Sequence, residues 1–274
     1  MSKIWKFFTN KGSAVSYALL TAIFTVVPEE CFKLLVINDK WEDATNILIN
    51  RLIICAIVFI LANIVYYIYR MKRKKIIISE KNHIIQIEYG DLFAINNGKR
   101  IIDFDECYTT KVGNAPGDIK PESVCGQYLS KYPINNMEAL INDAGVKAMK
   151  GKSEYNGQAR YTPGTIVPND DYLLMAFAKL DNDGLGKLTY DEYIECLNTL
   201  WKQIDKYHGT SDVYMPILGS KITRFDKELT QQELLDIIIS SYRLSSKKLR
   251  KPYKLHIVCR EREGFSLNDI YGVN

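Results

Sequence analysis

Two short turns in this chain have the chemistry of a nucleotide-binding site. The first, Tyr89-Gly90-Asp91-Leu92-Phe93, is an apolar strand that runs into a Gly-Asp turn followed by two apolar residues. The carboxylate of Asp91 can accept a hydrogen bond from the amino group of an adenine, while Leu92 and Phe93 can wall the ring. A structural turn explains an isolated Gly-Asp pair more often than a ligand site does, so this motif must be weighed with others.

The second turn follows an apolar strand at 213–218 and combines a glycine with hydroxyl groups and cations. Its residues are Gly219, Ser220, Lys221, Ile222, Thr223 and Arg224. Backbone N–H groups at such a strand end, reinforced by the N-terminus of a following helix, form an anion cradle suited to a diphosphate. Arg224 has two alternatives, an ion pair with Asp226 or a phosphate contact. Ser220 has no histidine near it in a nucleophile arrangement, so a hydrolase triad is unsupported.

A third motif, Asp181 to Glu192 (DNDGLGKLTYDE), matches a calcium EF-hand loop in its acids at positions one, three and twelve and its glycine at position six. Leu185 at position five removes an oxygen ligand, and the sequence has no second loop to pair with it. Thr189 to Glu192 is also a capping box at the start of a helix. We expect a structural turn before a capped helix, with calcium binding through Asp181, Asp183 and Glu192 as the alternative.

A sheet is needed to hold these turns together, and the pattern of the chain predicts one. Apolar runs predict strands at 75–79, 83–89, 100–104, 172–180, 213–218 and 253–260. Helical patterns lie at 121–132, 135–144 and 230–244, and the last opens with a capping box, Thr230 to Glu233. This alternation predicts an α/β domain over residues 76–274, with a mixed sheet sandwiched between helices. The polar stretch 147–160 is expected to be a mobile loop.

The first 75 residues have a different composition, with two apolar runs. Residues 52–69 are an uncharged run of eighteen residues. As a helix this run spans about 27 Å, close to the ~30 Å hydrocarbon core of a bilayer. The run 12–27 is shorter and stops at Pro28. We predict a membrane anchor over residues 1–75 with two transmembrane helices, at about 13–36 and 48–69, and a signal peptide as the alternative for the first.

Charge predicts the orientation of this anchor. Lys3, Lys6 and Lys11 precede the first run and the basic cluster 70–75 follows the second, so the positive-inside rule places both termini in the cytoplasm. A multi-pass protein of the bacterial inner membrane is therefore expected, with the basic cluster facing lipid head groups rather than nucleic acid. Asn63 lies in the middle of the second run, where it packs against a neighbouring helix of the same chain or joins helices of several subunits. Six scattered cysteines without a C-x-x-C pair fit a cytosolic main body.

The order of motifs GDLF, RIIDFDECYTT, SVCGQYLSKY, YTPGTIV and PILGSKITRF resembles the macro domain, a module that binds ADP-ribose. More closely, these motifs and the preceding helices resemble the Thoeris anti-phage defence effectors with two transmembrane helices and a C-terminal macro domain (ThsA-like). In that family a TIR-domain partner consumes NAD and releases an ADP-ribose-containing messenger, a histidine adduct in type II systems. The resemblance implies capture of this messenger by the macro domain, assembly into a homo-oligomer, membrane disruption and abortive infection.

The resemblance also assigns roles to single residues. Asp91 would hold the adenine, Leu92 and Phe93 would contact its ring, and 219–223 would cradle the diphosphate. The residues at the strand end where macro domains contact the distal ribose are Asp105, Glu106, Thr109 and Thr110. The carboxylates there would recognise a substituent with N–H donors.

The chain also departs from the family pattern. Catalytic macro domains carry Asn-rich and triple-Gly loops at this point, and DECYTTKVGN has neither. A receptor without cofactor or metal is therefore expected, with a membrane-bound ADP-ribosyl hydrolase and a calcium-sensing membrane protein as alternatives. Lys221 replaces the glycine that more usually follows the Gly-Ser pair.

Overall fold

The structure, a computed structural model, describes residues 10–33, 42–220, 223–261 and 264–270. The chain divides into two compact units, with the boundary between Arg73 and Lys74. Each unit has its own set of packed elements, so each is described by itself.

The N-terminal unit contains helix α1 (Lys11–Val26), a 3₁₀ turn (Glu29–Lys33) and helix α2 (Asp43–Met71). Helix α1 ends earlier than the predicted 13–36, because Pro28 cannot continue the helical hydrogen bonds; residues 34–36 lie outside the described part of the chain. Helix α2 begins earlier than the predicted 48–69, with Asp43 in its first turn, where a carboxylate is favourable. By length and composition, α2 alone among the described helices is sufficient to cross a membrane, since α1 has 16 residues.

Polar side chains hold α1 and α2 together. The Asn63 Oδ1 atom accepts hydrogen bonds from Asn10 Nδ2 at 3.1 Å and from Ser13 Oγ at 3.4 Å. Arg51 lies 3.5 Å from Glu29 and over the ring of Phe32. Asn63 therefore packs against the start of α1 in the same chain, and its predicted role in subunit association stays a prediction. The apolar side chains of α2 are mostly exposed, as a lipid-facing surface would require.

The second unit is built on a mixed sheet, which confirms the predicted α/β class. Its strands are β1 (Lys75–Ser79), β2 (Ile84–Tyr89), β3 (Lys99–Asp105), β4 (Ile166–Asn169), β5 (Tyr172–Leu180), β6 (Gly186–Leu188), β7 (Val213–Pro216), β8 (Arg224–Phe225) and β9 (Lys254–Cys259). Their spatial order is β1-β2-β9-β7-β3-β5-β6-β8, and β4 pairs with β5. The five strands from β2 to β5 in this order are mutually parallel, so their carboxyl ends meet at one edge. Ligands of open α/β sheets bind at such an edge.

Helices cover both faces of the sheet, as predicted. On one face lie α3 (Val124–Lys131) and α4 (Met137–Asp143), and on the other lie α5 (Tyr190–Tyr207) and α6 (Gln231–Leu244). Both predicted capping boxes form, at the starts of α5 and α6. Pro121 lies outside α3, contrary to prediction, because Ser123 accepts the hydrogen bond from Gly126 N–H and caps the helix two residues later.

The polar stretch 147–160 contains no helix or strand, as predicted, but it is tied to the rest of the domain. Lys152 and Ala159 form an isolated β-bridge within it. Ser153 is buried, and its hydroxyl donates a 2.8 Å hydrogen bond to Glu106. This contact brings the stretch to the end of β3, where the functional residues lie.

Candidate functional site

A cleft of about 190 Å³ lies at the edge where the parallel strands end. Residues from the ends of β2, β3, β5, β7 and β9 line it, together with the loop before α3 and the first residue of α6, Gln231. The loop before α3 contributes Gly117, Asp118, Ile119, Lys120, Glu122 and Ser123. The strands that the sequence separates by more than a hundred residues therefore meet around one cavity.

At the end of β2, Gly90, Leu92 and Phe93 line the cleft. The Gly90 N–H donates to the carbonyl of Cys259 on β9 at 3.0 Å. Asp91 is exposed between these lining residues, and its Oδ1 accepts a 3.0 Å hydrogen bond from the Phe93 N–H, which caps the short 3₁₀ turn Leu92–Ala94. The Lys131 ammonium lies 4.6 Å from the centre of the Phe93 ring. The predicted ring-contacting pair thus lines the cleft, whereas Asp91 is not among the lining residues.

At the end of β7, the predicted Gly-Ser turn reaches the cleft through Gly219, Ser220 and Thr223. Gly219 has a φ of +77°, and a Cβ there would lie 2.7 Å from the Phe225 ring, so this position requires glycine. The buried Tyr193 hydroxyl on α5 donates to the Leu218 carbonyl at 3.2 Å and fixes the approach to the turn. Lys221 and Ile222 lie outside the described residues.

Arg224, which is predicted to pair with Asp226 or to contact a phosphate, lies on strand β8. It is exposed on strand β8, where it pairs with Lys187 of β6, and it does not line the cleft. Asp226 accepts a 3.0 Å hydrogen bond from the Tyr190 N–H at the start of α5. No ion pair joins Arg224 to Asp226 within the described part of the chain.

The end of β3 brings two carboxylates, Asp103 and Asp105, to the floor of the cleft. Asp105 is 6% exposed, and its Oδ1 accepts from the N–H groups of Cys107 at 2.8 Å and Thr109 at 3.1 Å. Asp105 Oδ2 and Asp103 Oδ1 are both buried and have no hydrogen-bond partner among the described residues. The predicted role for Asp105 stays a prediction, and Asp103 is a residue that sequence reasoning missed.

Burial controls the protonation of these groups. It raises the pKa of Asp103 from 3.8 to about 6 and also raises the pKa of Asp105, with Glu106 adding to the latter shift. Burial likewise raises the pKa of Cys259 to about 12 and that of Cys125 well above its usual value, so both thiols of the cleft are protonated at pH 7. Burial therefore favours the protonated form of both aspartates at the floor of the cleft.

Glu106, which is predicted to recognise a ligand substituent, is 1% exposed and does not line the cleft. Its Oε1 accepts from Ser153 Oγ at 2.8 Å and from Leu180 N–H at 3.3 Å. Its Oε2 lies 3.8 Å from Arg160 and has no hydrogen-bond partner among the described residues. Thr109 and Thr110 do not line the cleft either; Thr109 instead donates its N–H to Asp105. Glu106 is thus a structural carboxylate that joins three segments.

The far wall of the cleft contains the EF-like motif. Asp181 Oδ1 accepts from the N–H groups of Asp183 at 3.0 Å and Leu185 at 2.9 Å, which shapes the turn between β5 and β6. Gly184, Leu185 and Gly186 of this turn line the cleft. The Gly184 carbonyl accepts from the Gly117 N–H at 3.1 Å, so the turn is bonded to the loop before α3.

Glu192, the twelfth residue of the EF-like motif, makes its contacts outside the turn. Glu192 caps α5 by accepting from the Thr189 N–H at 2.9 Å, and it pairs with Lys179. Within the described residues no three His, Cys, Asp or Glu side chains are grouped so as to hold a metal ion. The motif forms a turn before the capped helix α5, and calcium binding stays an alternative to be tested.

Sequence signals for the missed residues were present but weak. Asp103 is an acid within the apolar strand RIIDFD, and an acid in a buried strand usually has a specific role. Val258, Cys259 and Arg260 close the strand predicted at 253–260, and all three line the cleft. The sequence order does not reveal that this last strand inserts beside β2, because the sheet pairs strands that are far apart in the chain.

Comparison with known proteins gives a family match over most of the second unit. A family model described as Thoeris protein ThsA, Macro domain, matches residues 85–260. The Thoeris protein ThsA of Bacillus amyloliquefaciens (strain Y2) is 29% identical to this chain over 194 residues, which cover 67% of this chain and 65% of that protein. The chain therefore spans less than two thirds of that relative.

Similar solved structures include macrodomains of low sequence identity. A mutant macrodomain of Oceanobacillus iheyensis is 11% identical with a TM-score of 0.45, covering 69% of this chain and 91% of that one. The macrodomain of Thermus aquaticus DarG is 12% identical with a TM-score of 0.38, covering 64% and 97%. An Oceanobacillus iheyensis macrodomain with ADP is 10% identical with a TM-score of 0.38, covering 69% and 89%.

Proposed function

The chain belongs to the Thoeris ThsA macro-domain family, and we propose from this premise that it is a receptor for an ADP-ribose-containing messenger and a membrane effector of bacterial anti-phage defence. The observation that carries the proposal is the cleft at the carboxyl ends of the parallel strands. The Gly219 turn that lines the cleft is the proposed diphosphate cradle, and Leu92 and Phe93 at the β2 end are the proposed wall for the base.

We propose that the parts of the ligand lie along the cleft in the order of the strands. The sheet runs from β2 and β9 through β7 to β3 and β5. Adenine at the β2 end therefore places the diphosphate at the Gly219 turn after β7, and the distal ribose at the end of β3. The positive end of α6, whose first residue Gln231 lines the cleft, adds a favourable field for the phosphates.

The receptor is proposed to keep its ligand intact rather than hydrolyse it. The loop after β3 has neither the Asn-rich nor the triple-Gly element with which catalytic macro domains hold and strain the distal ribose. Incubation of the full chain with ADP-ribosylated substrates, followed by mass spectrometry, tests this point. Turnover above background that Asp91→Ala abolishes would instead make the protein an ADP-ribosyl hydrolase.

Connectivity supports a link between the ligand and the membrane part. Three residues separate the end of α2 from strand β1, and β1 pairs with β2 from Lys75 opposite Glu88. The Tyr89 N–H, next to Gly90 of the cleft, donates to the Lys74 carbonyl at 3.0 Å. A ligand that moves the β2 end therefore acts on the strand that leaves the anchor.

We propose a multi-pass anchor in the bacterial inner membrane, with both termini cytoplasmic. The proposed messenger is an ADP-ribose derivative, with a histidine adduct as the specific candidate, supplied by a TIR-domain partner that consumes NAD. A pair of helices encloses no pathway alone, so several subunits must assemble on activation, and the ligand must bind the assembled state more tightly than the resting one. The assembled helices then disrupt the membrane and cause abortive infection.

Titration calorimetry of the full chain in detergent micelles, with ADP-ribose, tests the binding site. Asp91→Ala should cost about 1 to 3 kcal/mol of binding free energy, because an adenine donor loses its acceptor. Gly219→Glu should abolish binding, because its side chain meets Phe225 and adds a negative charge beside the phosphates. The control is Asp143→Ala, an exposed acid at the end of α4 that does not line the cleft. If both site variants bind like the wild type, the site is misplaced.

Expression in cells with the NAD-consuming partner tests the membrane role. The full chain should depolarise the membrane, whereas residues 74–274 should bind ADP-ribose in calorimetry yet leave cells unharmed. A soluble fragment that arrests growth as effectively as the full chain would contradict the membrane-effector proposal. The proposal would also be contradicted if the ligand did not change the assembly state of the full chain, measured by native mass spectrometry. Calorimetry with calcium in the same preparation tests the calcium-sensor alternative.

A further inference from the structure

A second cavity, of about 350 Å³, lies at the opposite edge of the sheet from the cleft. It is lined by the loop between α6 and β9 and by residues at the end of α5. Strand β9 begins beside this cavity and ends at the cleft, so its six residues separate the two sites by about 20 Å. Asp205 is the one acid among the described lining residues, against the four cations Lys247, Lys248, Arg250 and Lys251.

The loop that contains these cations is held in place by contacts with the rest of its domain. Leu249 is buried, and its N–H donates to the Tyr242 hydroxyl at 2.8 Å. The Lys251 N–H donates to the Asn82 carbonyl at 3.2 Å, and the Lys251 ammonium group donates to Ser79 Oγ at 3.3 Å. Because these contacts fix the backbone, the cations stay close together although like charges repel.

The charges of these cations are only partly matched within the protein. Lys247 pairs with Asp205 at 3.0 Å. The Lys248 ammonium group donates to the Ser245 carbonyl, which is neutral. The Arg250 side chain is exposed and has no hydrogen bond or ion pair among the described residues. A cavity with such an excess of one sign of charge concentrates ions of the opposite sign.

A buried histidine beside the loop is affected by the same positive charge. His83 is 4% exposed, and its ring contacts the Tyr242 ring edge-on at 5.6 Å. Burial lowers its pKa, and the cations Lys248, Arg243 and Lys251 lower the pKa further, whereas a nearby carboxylate has the opposite effect. Two of these three cations line the second cavity, so its positive charge extends into the domain.

The other wall of the cavity has an imidazole and an aromatic ring. His208 follows α5, and its Nδ1 is buried without a hydrogen-bond partner among the described residues. Its ring lies 5.8 Å from the ring of Tyr253, which also lines the cavity. Small-molecule sites have volumes of about 300 to 1,000 Å³, so the size of this cavity suits a small ligand.

We propose that this cavity binds a small soluble ligand with two or more phosphate groups, and that Arg250, Lys248 and Lys251 hold the phosphates. Phosphate oxygens accept charge-assisted hydrogen bonds from guanidinium and ammonium groups. More than one phosphate is needed to match several cations. The site is independent of the proposed messenger, because it shares no described lining residue with the cleft.

Titration calorimetry of the full chain in detergent micelles, with inorganic tripolyphosphate, tests this site. Arg250→Glu should weaken binding about tenfold or more, because it replaces an attraction by a repulsion. Arg250→Gln, which removes one charge at similar size, should weaken binding about threefold. The matched control is Lys150→Glu, an equal change of charge at an exposed lysine that lines neither cavity, and it should bind like the wild type.

The outcomes separate this site from the cleft. Arg250→Glu should keep the ADP-ribose affinity and the melting temperature of the wild type, and failure of ADP-ribose to bind any of the proteins would leave the tripolyphosphate result unaffected. The proposal is overturned if the wild type does not bind tripolyphosphate, if Arg250→Glu binds it like Lys150→Glu, or if Arg250→Glu loses both ligands.

Nanodiscs distinguish a soluble ligand from a lipid head group, which has the same phosphate chemistry. The titration is repeated with the full chain in discs of phosphatidylcholine alone and in discs that also contain phosphatidylglycerol. Tripolyphosphate binding in both kinds of disc supports a soluble ligand. Binding that is lost in the anionic discs would overturn the soluble ligand and assign the cavity to lipid head groups.

Discussion

Two acids near the end of β3, Glu106 and Asp103, have different surroundings. Glu106 is fully buried, and its Oε1 accepts hydrogen bonds from the 147–160 stretch and from strand β5. Asp103, three positions earlier, is half-buried and lines the cleft. Each keeps one buried oxygen without a hydrogen-bond partner among the described residues, but Glu106 Oε2 has the Arg160 cation 3.8 Å away. Residue type and position in the sequence therefore do not distinguish an acid that joins segments of the protein from one that faces a cleft; the surroundings do.

Removal of the Glu106 carboxylate should have the largest effect on stability. In Glu106→Ala the Ser153 hydroxyl and the Leu180 N–H lose their acceptor, and Arg160 loses its ion-pair partner. Loss of about 3 kcal/mol in the free energy of unfolding is expected, as for other broken buried pairs. Denaturant unfolding of the full chain in micelles, followed by tryptophan fluorescence, measures it. A change below about 1 kcal/mol would show that Glu106 contributes little to stability, and its contrast with Asp103 would be weaker.

Asp103→Asn should change stability in the opposite direction and with a defined pH dependence. The folded-state pKa is raised from 3.8 to about 6, so the wild type is penalised at pH values above 6 and progressively less as the pH falls toward 4. The asparagine variant avoids this penalty and should be more stable by about 1 to 3 kcal/mol at pH 7.5. The difference should vanish near pH 4. Unfolding of both proteins across this range tests it, and a variant that is less stable at pH 7.5 would contradict the unsatisfied state of Asp103.

A neutral hydrogen bond at the end of β7 should show the smallest effect and sharpen the contrast with the charged groups. In Tyr193→Phe the Leu218 carbonyl loses its 3.2 Å donor, but the turn keeps its glycine conformation. We expect a loss of about 1 kcal/mol of stability and a few-fold weaker binding of ADP-ribose. Denaturant unfolding measures the stability, and calorimetry with ADP-ribose measures the binding. A loss of stability as large as that of Glu106→Ala would contradict this ranking.

The sequence by itself was sufficient to predict most of the strands and helices. Strand β1 (Lys75–Ser79) and strand β5 (Tyr172–Leu180) follow their apolar runs to the residue, and the Thr230 capping box begins α6 where the pattern predicts. These features depend on interactions between residues that are close in sequence, so a local pattern is sufficient to predict them. Strand β4 was missed because its four residues include Pro168, which lowers strand propensity and is tolerated at this sheet position. The short β6 and β8 carry too few residues to show a period.

Only the tertiary structure decided what each acid does. Strand β9 pairs with β2 and β7 although about 165 residues separate it from β2, so no local pattern shows that Cys259 and Gly90 meet. Likewise the sequence predicts an acid-rich end of β3 but not that Ser153 and Arg160 reach back to Glu106 and leave Asp103 without a partner. The sequence predicts the EF-like motif as a turn before a capped helix, but only the structure shows that Glu192 pairs with Lys179 and that the turn lines the cleft. The hydrogen-bond and ion-pair partners of each acid come from distant segments, because the sheet determines which segments meet.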